Sequence, residues 1–347
     1  MSFTIRAFRP KRLKGALRRR SRQITSQLNT RHIWGPRKFH LGPEEVCGIL
    51  LGRNISYYIP EFMEHHRGMG MNYLIYMDNG SDDDSVERLR TYDNVIILSN
   101  TLNFRDYQPY MRSQAATRYV EGGWRLALDA DEILRFPGDD HIDLPELARR
   151  MTARGQTGLV AQMLELVPDG PLSAVATLSY PEVRKVFRNY STENITAYRY
   201  HDETAPHYGM LRRNSVADPQ VSFLFGGLRR TLFAEDCCLS KHVFFRSGPE
   251  VIPLMNPHVT MGLHCADFTA ALHHYKFSGD FLEREKRRLT EKRLSHKESD
   301  LRLAAFARDP AMSLSFPGIQ HDPTPAKLLE AGFLTASADA RQMLGMQ

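Results

Sequence analysis

The chain has 347 residues, of which 42% are hydrophobic and 25% charged, both ordinary values for a globular protein. No apolar stretch approaches the ~18–20 residues that a membrane-spanning helix needs, and the N-terminal segment lacks the apolar core of a secretory signal. None of the four cysteines forms a Cys-x-x-Cys pair, which argues against both a disulfide framework and a zinc site. We therefore expect a cytoplasmic protein.

The net charge of +6 is concentrated near the N-terminus. Residues 1–43 hold twelve Lys and Arg and no Asp or Glu, and the rest of the chain has 34 basic and 40 acidic residues. Such a segment can be a solvated, flexible arm, can attach peripherally to anionic lipid on the inner face of the membrane, or can contact nucleic acid. We expect the flexible arm first and the membrane contact second, and we expect no nucleic-acid partner.

From residue 46, strand-like and helix-like segments alternate. Apolar runs predict four strands, at 46–51, 73–77, 95–98 and 124–128. Apolar residues at helical spacing and capping residues between them predict three helices, at 57–67, 82–92 and 107–121. This order predicts an α/β fold with a mostly parallel, Rossmann-like sheet flanked by helices, whose ligands bind beyond the carboxyl ends of the strands. Asp78 ends the second strand and Asp129 follows the fourth, so we expect both at the same edge.

Beyond about residue 144 the pattern is less regular. Short strands separated by Gly- and Pro-containing turns extend to about residue 245, and the region 266–308 has a helical character. Within that region the charged run at 281–297 is typical of a solvated helix face. We predict a basic arm at 1–43, one domain at 44–309 and a wrapping C-terminal tail at 310–347.

The strongest local signal is the run Asp129-Ala-Asp131-Glu132, directly after the fourth strand. Two carboxylates at i and i+2 present hard oxygen ligands to Mg²⁺ or Mn²⁺, and a phosphate-bearing substrate completes the coordination. A solvated acidic loop is the ordinary alternative for Asp-x-Asp alone. Its position at the end of a strand after three βα units favours the metal site.

A second group of polar residues, Asp78-Asn79-Gly80-Ser81, ends the second strand. These residue types favour a turn and a helix N-cap, and the same turn can expose Asp78 and Asn79 to the ribose or base of a nucleotide. Further along the chain, histidines and cations that can ligate a metal or bind phosphate cluster at His258, His264, His273, His274, Arg229, Arg230, Lys241 and Arg246.

Taken together, these motifs resemble the family 2 glycosyltransferases, specifically a bacterial branch with an Arg-Asn-Glu first strand and a helix carrying Glu, a hydrophobic residue and His-His. The resemblance covers roughly residues 46–335. It rests on Arg53-Asn54, Glu61 to His66, Asp78-Asn79, Asp129 to Glu132, Gly226 to Phe233, Leu239 to Arg246, Leu272 to Phe277, and Ser295 to Ser299. One residue departs from the pattern, because Ile55 stands where the branch has Glu.

The resemblance implies a GT-A fold, a nucleotide-sugar donor, a divalent metal (Mn²⁺ or Mg²⁺), and a glycan, lipid or protein acceptor, as in polysaccharide biosynthesis. It implies that Asp131 ligates the metal, that Asp129 contacts the donor, and that His264 or His274 lies near the diphosphate. The expected metal ligands are therefore Asp131, His264 and His274. The expected donor-binding residues are Arg53, Asp78, Asn79, Asp129, Arg229 and Lys241.

Most of this family inverts the anomeric centre, which requires a general base for the acceptor hydroxyl. The candidates are Glu165, which we favour, and Asp169, which a turn around Pro168 also explains. Two other functions stay open. One is phosphoryl transfer by an Asp-x-Asp phosphatase, although Ile133 and the absence of a downstream Lys–Asp-Asp pattern argue against it. The other is a non-enzymatic membrane or nucleic-acid adaptor that uses the basic arm.

Overall fold

The structure is a computed structural model that describes residues 10–291 and 298–346. The first nine residues of the basic arm, residues 292–297 of the charged run, and with them part of the motif Ser295 to Ser299, lie outside this range. The helices are α1 (Pro10–Asn29), α2 (Ile59–Gly68), α3 (Ser85–Arg90), α4 (Phe104–Arg118), α5 (Leu144–Ala153), α6 (Tyr180–Val186), α7 (Tyr208–Leu211), α8 (Leu228–Phe233), α9 (Phe281–Thr290), α10 (Glu298–Arg308), α11 (Pro325–Glu330) and α12 (Ala338–Met343).

The strands fall into one large sheet and several two-stranded pairs. They are β1 (Arg31–Trp34), β2 (Phe39–His40), β3 (Val46–Gly52), β4 (Met71–Asp78), β5 (Val95–Ser99), β6 (Val120–Glu121), β7 (Trp124–Leu128), β8 (Glu132–Arg135), β9 (Gly158–Glu165), β10 (Asn189–Tyr190), β11 (Ile195–Arg199), β12 (Ser215–Val216), β13 (Ser222–Gly226), β14 (Ser240–Arg246), β15 (Ile252–Asn256), β16 (Val259–Met261), β17 (His264–His274) and β18 (Gln320–His321).

The large sheet has the order β1-β5-β4-β3-β7-β14-β9-β17-β12, and β8 pairs with β17. Strands β5, β4, β3 and β7 are parallel, as the alternation of segments predicts. Strand β14 is antiparallel to β7 and β9, and β9 and β17 are parallel to each other. The predicted α/β class, with a mostly parallel sheet flanked by helices, is therefore confirmed. Among the four parallel strands, β3 comes first in the chain and has β4 on one side and β7 on the other. The strand order therefore reverses beside β3, where open α/β sheets bind ligands.

Two hydrophobic cores lie on opposite faces of this sheet. In β3, Leu50 packs in the core that contains Phe62 of α2, whereas Ile49 and Leu51 pack in the core that contains Met111 of α4. This alternation follows the two-residue period of a strand. Full burial of one such side chain stabilises the fold by ~1.5–3 kcal/mol, so the helices on both faces are held mainly by apolar packing.

Two glycines let the turn before β7 pass close to the backbone carbonyls of Leu41 and Glu45. Gly122 and Gly123 have φ angles of 68° and 56°. A Cβ on Gly122 would lie 2.4 Å from the carbonyl oxygen of Leu41, and one on Gly123 would lie 2.5 Å from that of Glu45. Both positions therefore require glycine for its conformation and for space. The turn sets the start of the strand that leads into Asp129.

Three expectations from the sequence need correction. Part of the basic arm is helical, because α1 occupies residues 10–29, where good helix formers such as Arg, Leu and Gln are common. The region 266–308 starts in a strand, since burial of β17 between β9 and β8 overrides the helical propensity of its alanines. The charged run is only partly solvated, because Glu285 of α9 is fully buried. In the described residues, no helix combines the length and apolarity that a membrane crossing requires.

Several histidines of the described residues have lowered pKa values and should make the fold acid-sensitive. Burial lowers the pKa of His65 to about 4 and those of His242, His258 and His273 to about 3. The backbone N–H of Thr260 donates to Nδ1 of His242, which accounts for the neutral tautomer. Below the unfolded-state pKa of about 6.5, the unfolded chain binds protons that these native histidines do not, so stability falls as the pH falls.

We expect each of these histidines, through its protonation in the unfolded chain, to make the free energy of unfolding ~2 kcal/mol lower at pH 5 than at pH 8. Carboxylates with lowered pKa values lose their contribution only below about pH 4.5, so they do not act in this window. His274, whose pKa is raised to about 9, has the opposite sign and offsets about one of these histidines. Urea unfolding at several pH values between 8 and 5 measures how steeply the free energy of unfolding falls with pH. The variant His242→Gln should show a shallower dependence than the wild type. A stability that stays constant down to pH 5 contradicts the prediction.

Candidate active site

The register of the parallel strands brings the predicted acidic residues to one edge of the sheet. Gly52 of β3 is paired with Asp78 of β4, and Leu50 of β3 is paired with Leu128 of β7, so Asp78 and Asp129 both lie at the carboxyl edge. One strand separates them, which corresponds to roughly 10 Å across the sheet. The expectation that residues 51 positions apart share this edge is confirmed.

Asp129 is held by two cations from different elements. Arg112 of α4 donates to Oδ1 at 2.5 Å, and Lys241 of β14 donates to Oδ2 at 2.9 Å. Lys241 also contacts Glu132, whose other oxygen accepts from the backbone N–H of Asp129 at 2.9 Å. Burial alone would raise the pKa of Asp129, but Arg112 and Lys241 hold it well below its ordinary value. Two carboxylates and two cations thus fix the loop after β7.

Asp131 faces a histidine at the end of β17. Its Oδ2 lies 3.4 Å from Nε2 of His274, and its backbone carbonyl accepts from the N–H of Tyr275 at 2.9 Å. On the other side of the ring, Nδ1 of His274 lies 3.0 Å from Oε1 of Glu165. Burial alone would lower the pKa of His274, but Glu165 and Asp131 raise it to about 9. The result is a line Asp131–His274–Glu165 across the ends of β8, β17 and β9.

Glu165 does not have the properties of the expected general base. Its side chain is buried and is shared between His274 and Arg229, whose Nε lies 2.8 Å from Oε1. Burial favours protonation, but the charges of His274 and Arg229 lower the pKa of Glu165 to about 2. A carboxylate with so little affinity for a proton accepts one poorly at neutral pH. These contacts place Glu165 where it can orient His274, and its sequence-based assignment as the general base stays a prediction.

The other base candidate, Asp169, lies in the exposed loop after β9. Its Oδ1 accepts from Nδ2 of Asn189 at 2.7 Å, and it lines a cavity of about 550 Å³. A neighbouring cavity of about 340 Å³ is lined by Tyr275, the residue next to His274. The two cavities share Lys185, Arg188 and Asp322 in their walls.

The expected metal ligand His264 lies at the wrong end of β17. It begins the strand that His274 ends, so ten residues and roughly 33 Å separate the two. Its ring nitrogen Nδ1 pairs with the hydroxyl of Ser215 at 2.7 Å, and its N–H donates to Thr157. His264 cannot ligate the ion that Asp131 and His274 would hold, and the expectation is wrong for this residue.

In the described residues, no group of three or more His, Cys, Asp or Glu side chains is arranged to hold a metal ion. A pair does fit. Asp131 Oδ2 and His274 Nε2, at 3.4 Å, are close to the spacing of two neighbouring ligands of one ion. Mg²⁺ and related ions often take one or two protein ligands and complete their shell with water and substrate phosphate. Glu165 then accepts the Nδ1–H that a metal-bound histidine donates to a second partner.

The residues expected to hold the nucleoside are engaged in the turn that presents them. The carboxylate of Asp78 accepts from the backbone N–H groups of Gly80 and Ser81 and from the Ser81 hydroxyl. Nδ2 of Asn79 donates to the carbonyls of residues 100 and 102, which ties β4 to the end of β5. Arg53 pairs with Asp82 and with Glu291. All three expected residues lie at the carboxyl edge, and the turn interpretation holds for Asp78 and Asn79.

Sequence reasoning missed two cations at this site. Arg112 shares a helix with many polar residues, and nothing local distinguishes it. Lys276 was noticed only as part of a motif, yet burial, Arg302 and Arg229 lower the pKa of its ammonium to about 8. The charge of Lys276 also contributes to the lowered pKa values of Asp131 and Glu165. A positive group in this position suits the oxygens of a phosphate-bearing ligand.

The chain matches no model of a known protein family, and no curated protein matches it. Among solved structures, it is similar to TarS from S. aureus, with 16% identity over 37% of this chain and 25% of that chain and a TM-score of 0.30. The 1–349 fragment of TarS in complex with UDP gives 16% identity over 35% and 36% of the two chains, with a TM-score of 0.29.

Glucosyl-3-phosphoglycerate synthase from Mycobacterium tuberculosis, in complex with Mn²⁺, UDP and glucosyl-3-phosphoglycerate, is similar at 19% identity. That match covers 35% of this chain and 44% of the synthase, with a TM-score of 0.24. None of these likenesses spans half the length of the structure it matches.

Proposed function

We propose that this chain is a metal-dependent glycosyltransferase that moves a sugar from a nucleotide-sugar donor to a hydroxyl acceptor. The observation that carries the proposal is the pair Asp131–His274 at the carboxyl edge of the parallel sheet, where Asp129 also lies. The motifs that resemble family 2 glycosyltransferases of the GT-A fold support the same chemistry. Within that resemblance, we propose an inverting reaction in bacterial polysaccharide biosynthesis, on the cytoplasmic side.

Some residues at this edge would bind the metal and the donor, and another orients a metal ligand. Asp131 and His274 would hold the divalent ion, and a bound Mn²⁺ or Mg²⁺ supplies positive charge that offsets the charge of a nucleoside diphosphate leaving group. Glu165 fixes the ring of His274 so that Nε2 points at Asp131. Asp129 is about one-third exposed, at 32%, and its fixed carboxylate can accept hydrogen bonds from donor hydroxyls. Lys276 adds a cation for the diphosphate oxygens.

For the general base we retain Asp169. It is an exposed carboxylate at the wall of the 550 Å³ cavity, where an acceptor hydroxyl can approach from solvent. The acceptor class that we propose is a glycan, lipid or protein hydroxyl. A single displacement requires this base to lie on the opposite side of the sugar from the leaving diphosphate.

Thermal unfolding in the presence of nucleotides tests the proposal. A ligand that binds the native state at 100 times its dissociation constant stabilises it by ~2.7 kcal/mol, so the correct nucleoside diphosphate should raise the melting temperature. We expect UDP, GDP or dTDP to act more strongly with Mn²⁺ than with EDTA. If none of these nucleotides or their sugars shifts the melting temperature with Mn²⁺ or Mg²⁺, the proposal fails.

A second prediction separates orientation from base catalysis. Glu165→Gln should weaken Mn²⁺ binding ~10–100-fold, because a partner that orients a metal-bound histidine contributes that much to affinity. Asp169→Asn should lower turnover and leave the Mn²⁺ concentration for half-maximal activity unchanged. Titration of both variants with Mn²⁺ measures this difference. If Glu165→Gln keeps wild-type metal affinity but loses turnover, the orienting role is wrong and Glu165 is the general base.

A further inference from the structure

The contacts between the described side chains of helix α1 and the rest of the protein lie on one side of the helix. Ser26 is fully buried, and its carbonyl accepts from Nδ2 of Asn100 at 2.9 Å. Arg22 forms an ion pair with Asp106 of α4 at 3.0 Å, and Thr30, just after the helix, donates to Gln114 of α4 at 3.2 Å. These contacts fix the orientation of the helix, and so they also fix which side chains point away from the body.

The side away from the body carries an apolar stripe. Leu17, Ile24 and Leu28 are 60%, 47% and 81% exposed. Their spacings of seven and four residues place them within about 40° of one another around the helix, and Ser26 lies roughly 160–200° away. Three large aliphatic side chains are therefore left in water on the face opposite the anchoring contacts. Such a contiguous apolar stripe is typical of an interaction surface.

Arg18 and Arg20 flank this stripe, about 100° and 60° from Leu17 on either side, whereas Arg19 lies nearer the anchoring side. Arg18, Arg19 and Arg20 are all exposed on the same helix. The whole segment 1–43 contains twelve cations and no carboxylate, whereas the remainder of the chain is net negative. A helix with aliphatic residues on one face and arginines beside it has the composition of helices that lie in the interface of anionic bilayers. A nucleic-acid partner would account for the arginines, but it would leave the aliphatic stripe exposed to water.

We propose that α1 docks this protein on an anionic membrane surface, with Leu17, Ile24 and Leu28 inserted among the acyl chains and the arginines facing the lipid phosphates. This surface lies outside the catalytic residues and does not depend on the reaction they perform. The folded body supplies the rigid base, because α1 is fixed to α4 before it meets the bilayer.

Sedimentation of the full-length chain with lipid vesicles tests the proposal. We expect binding to vesicles that contain phosphatidylglycerol and none to vesicles of phosphatidylcholine alone. The double variant Leu17→Ser/Leu28→Ser should lose most of this binding. Replacement of Arg18, Arg19 and Arg20 by Gln should weaken it roughly 100-fold, as three charges near the surface predict. Leu301→Ser, at an exposed leucine of α10, is the matched control and should bind as the wild type does.

All the substituted side chains are exposed, so each variant should melt at the wild-type temperature, which shows that lost binding is not lost folding. Vesicle binding that the two leucine substitutions leave unchanged overturns the proposal, because charge alone then accounts for it. Binding to duplex DNA without binding to anionic vesicles overturns it in favour of nucleic acid.

Discussion

Asp131→Asn should lower turnover by on the order of 10²–10³-fold and leave the fold intact, because it removes one of the two side chains that would hold the metal. Asparagine keeps the shape of the side chain and an oxygen that can face Nε2 of His274. The charge that it removes is the one that faces His274 at this edge and that a bound metal would also contact. Release of nucleoside diphosphate from the donor that passes the thermal-shift test measures the effect, with and without acceptor.

The matched control for this variant is Asp140→Asn. Asp140 is 81% exposed, and its contact is with His141. We expect wild-type turnover from it and an unchanged melting temperature from both variants. If Asp131→Asn turns over donor at the wild-type rate with the wild-type response to Mn²⁺, the metal assignment and the proposed reaction both fail.

Arg302→Met should destabilise the fold by ~3–5 kcal/mol, the cost of leaving buried carboxylates without their cation. Arg302 of α10 is fully buried and contacts both oxygens of Glu235 at 2.8 Å. Its other nitrogens donate to Glu285 of α9 at 2.7 and 3.1 Å. Methionine fills similar space but leaves Glu235 and Glu285 unpaired by this guanidinium. Urea unfolding at pH 7 measures the loss of free energy.

Arg308→Met is the control on the same helix, because Arg308 is exposed and should change stability by less than ~0.5 kcal/mol. A triple variant that also carries Glu235→Gln and Glu285→Gln should recover part of the loss, since no unpaired carboxylate remains. A loss below about 1 kcal/mol in Arg302→Met would show that solvent reaches these groups, contrary to their burial.

The amino-acid sequence by itself determined the first half of the fold and the edge that carries the site. Apolar runs with a two-residue period and helices with a 3.6-residue period are local properties, so β3, β4, β5 and β7 could be located from the sequence. The positions of Asp78 and Asp129 at the strand ends then followed from the parallel order alone. The prediction that Asp131 ligates a metal is also local, since it rests on the spacing of two carboxylates after a strand.

Only the tertiary structure decided the partners of these residues. His264 and His274 are equivalent as residue types, but a strand of eleven residues puts them at opposite ends, and only β-sheet register brings His274 to Asp131. The orienting role proposed for Glu165 rests on Arg229 and His274, which converge on it from other elements. Burial of Glu285 and exposure of Leu28 likewise depend on which face of a helix meets the body. Such pairings link residues far apart in the chain, and no local period encodes them.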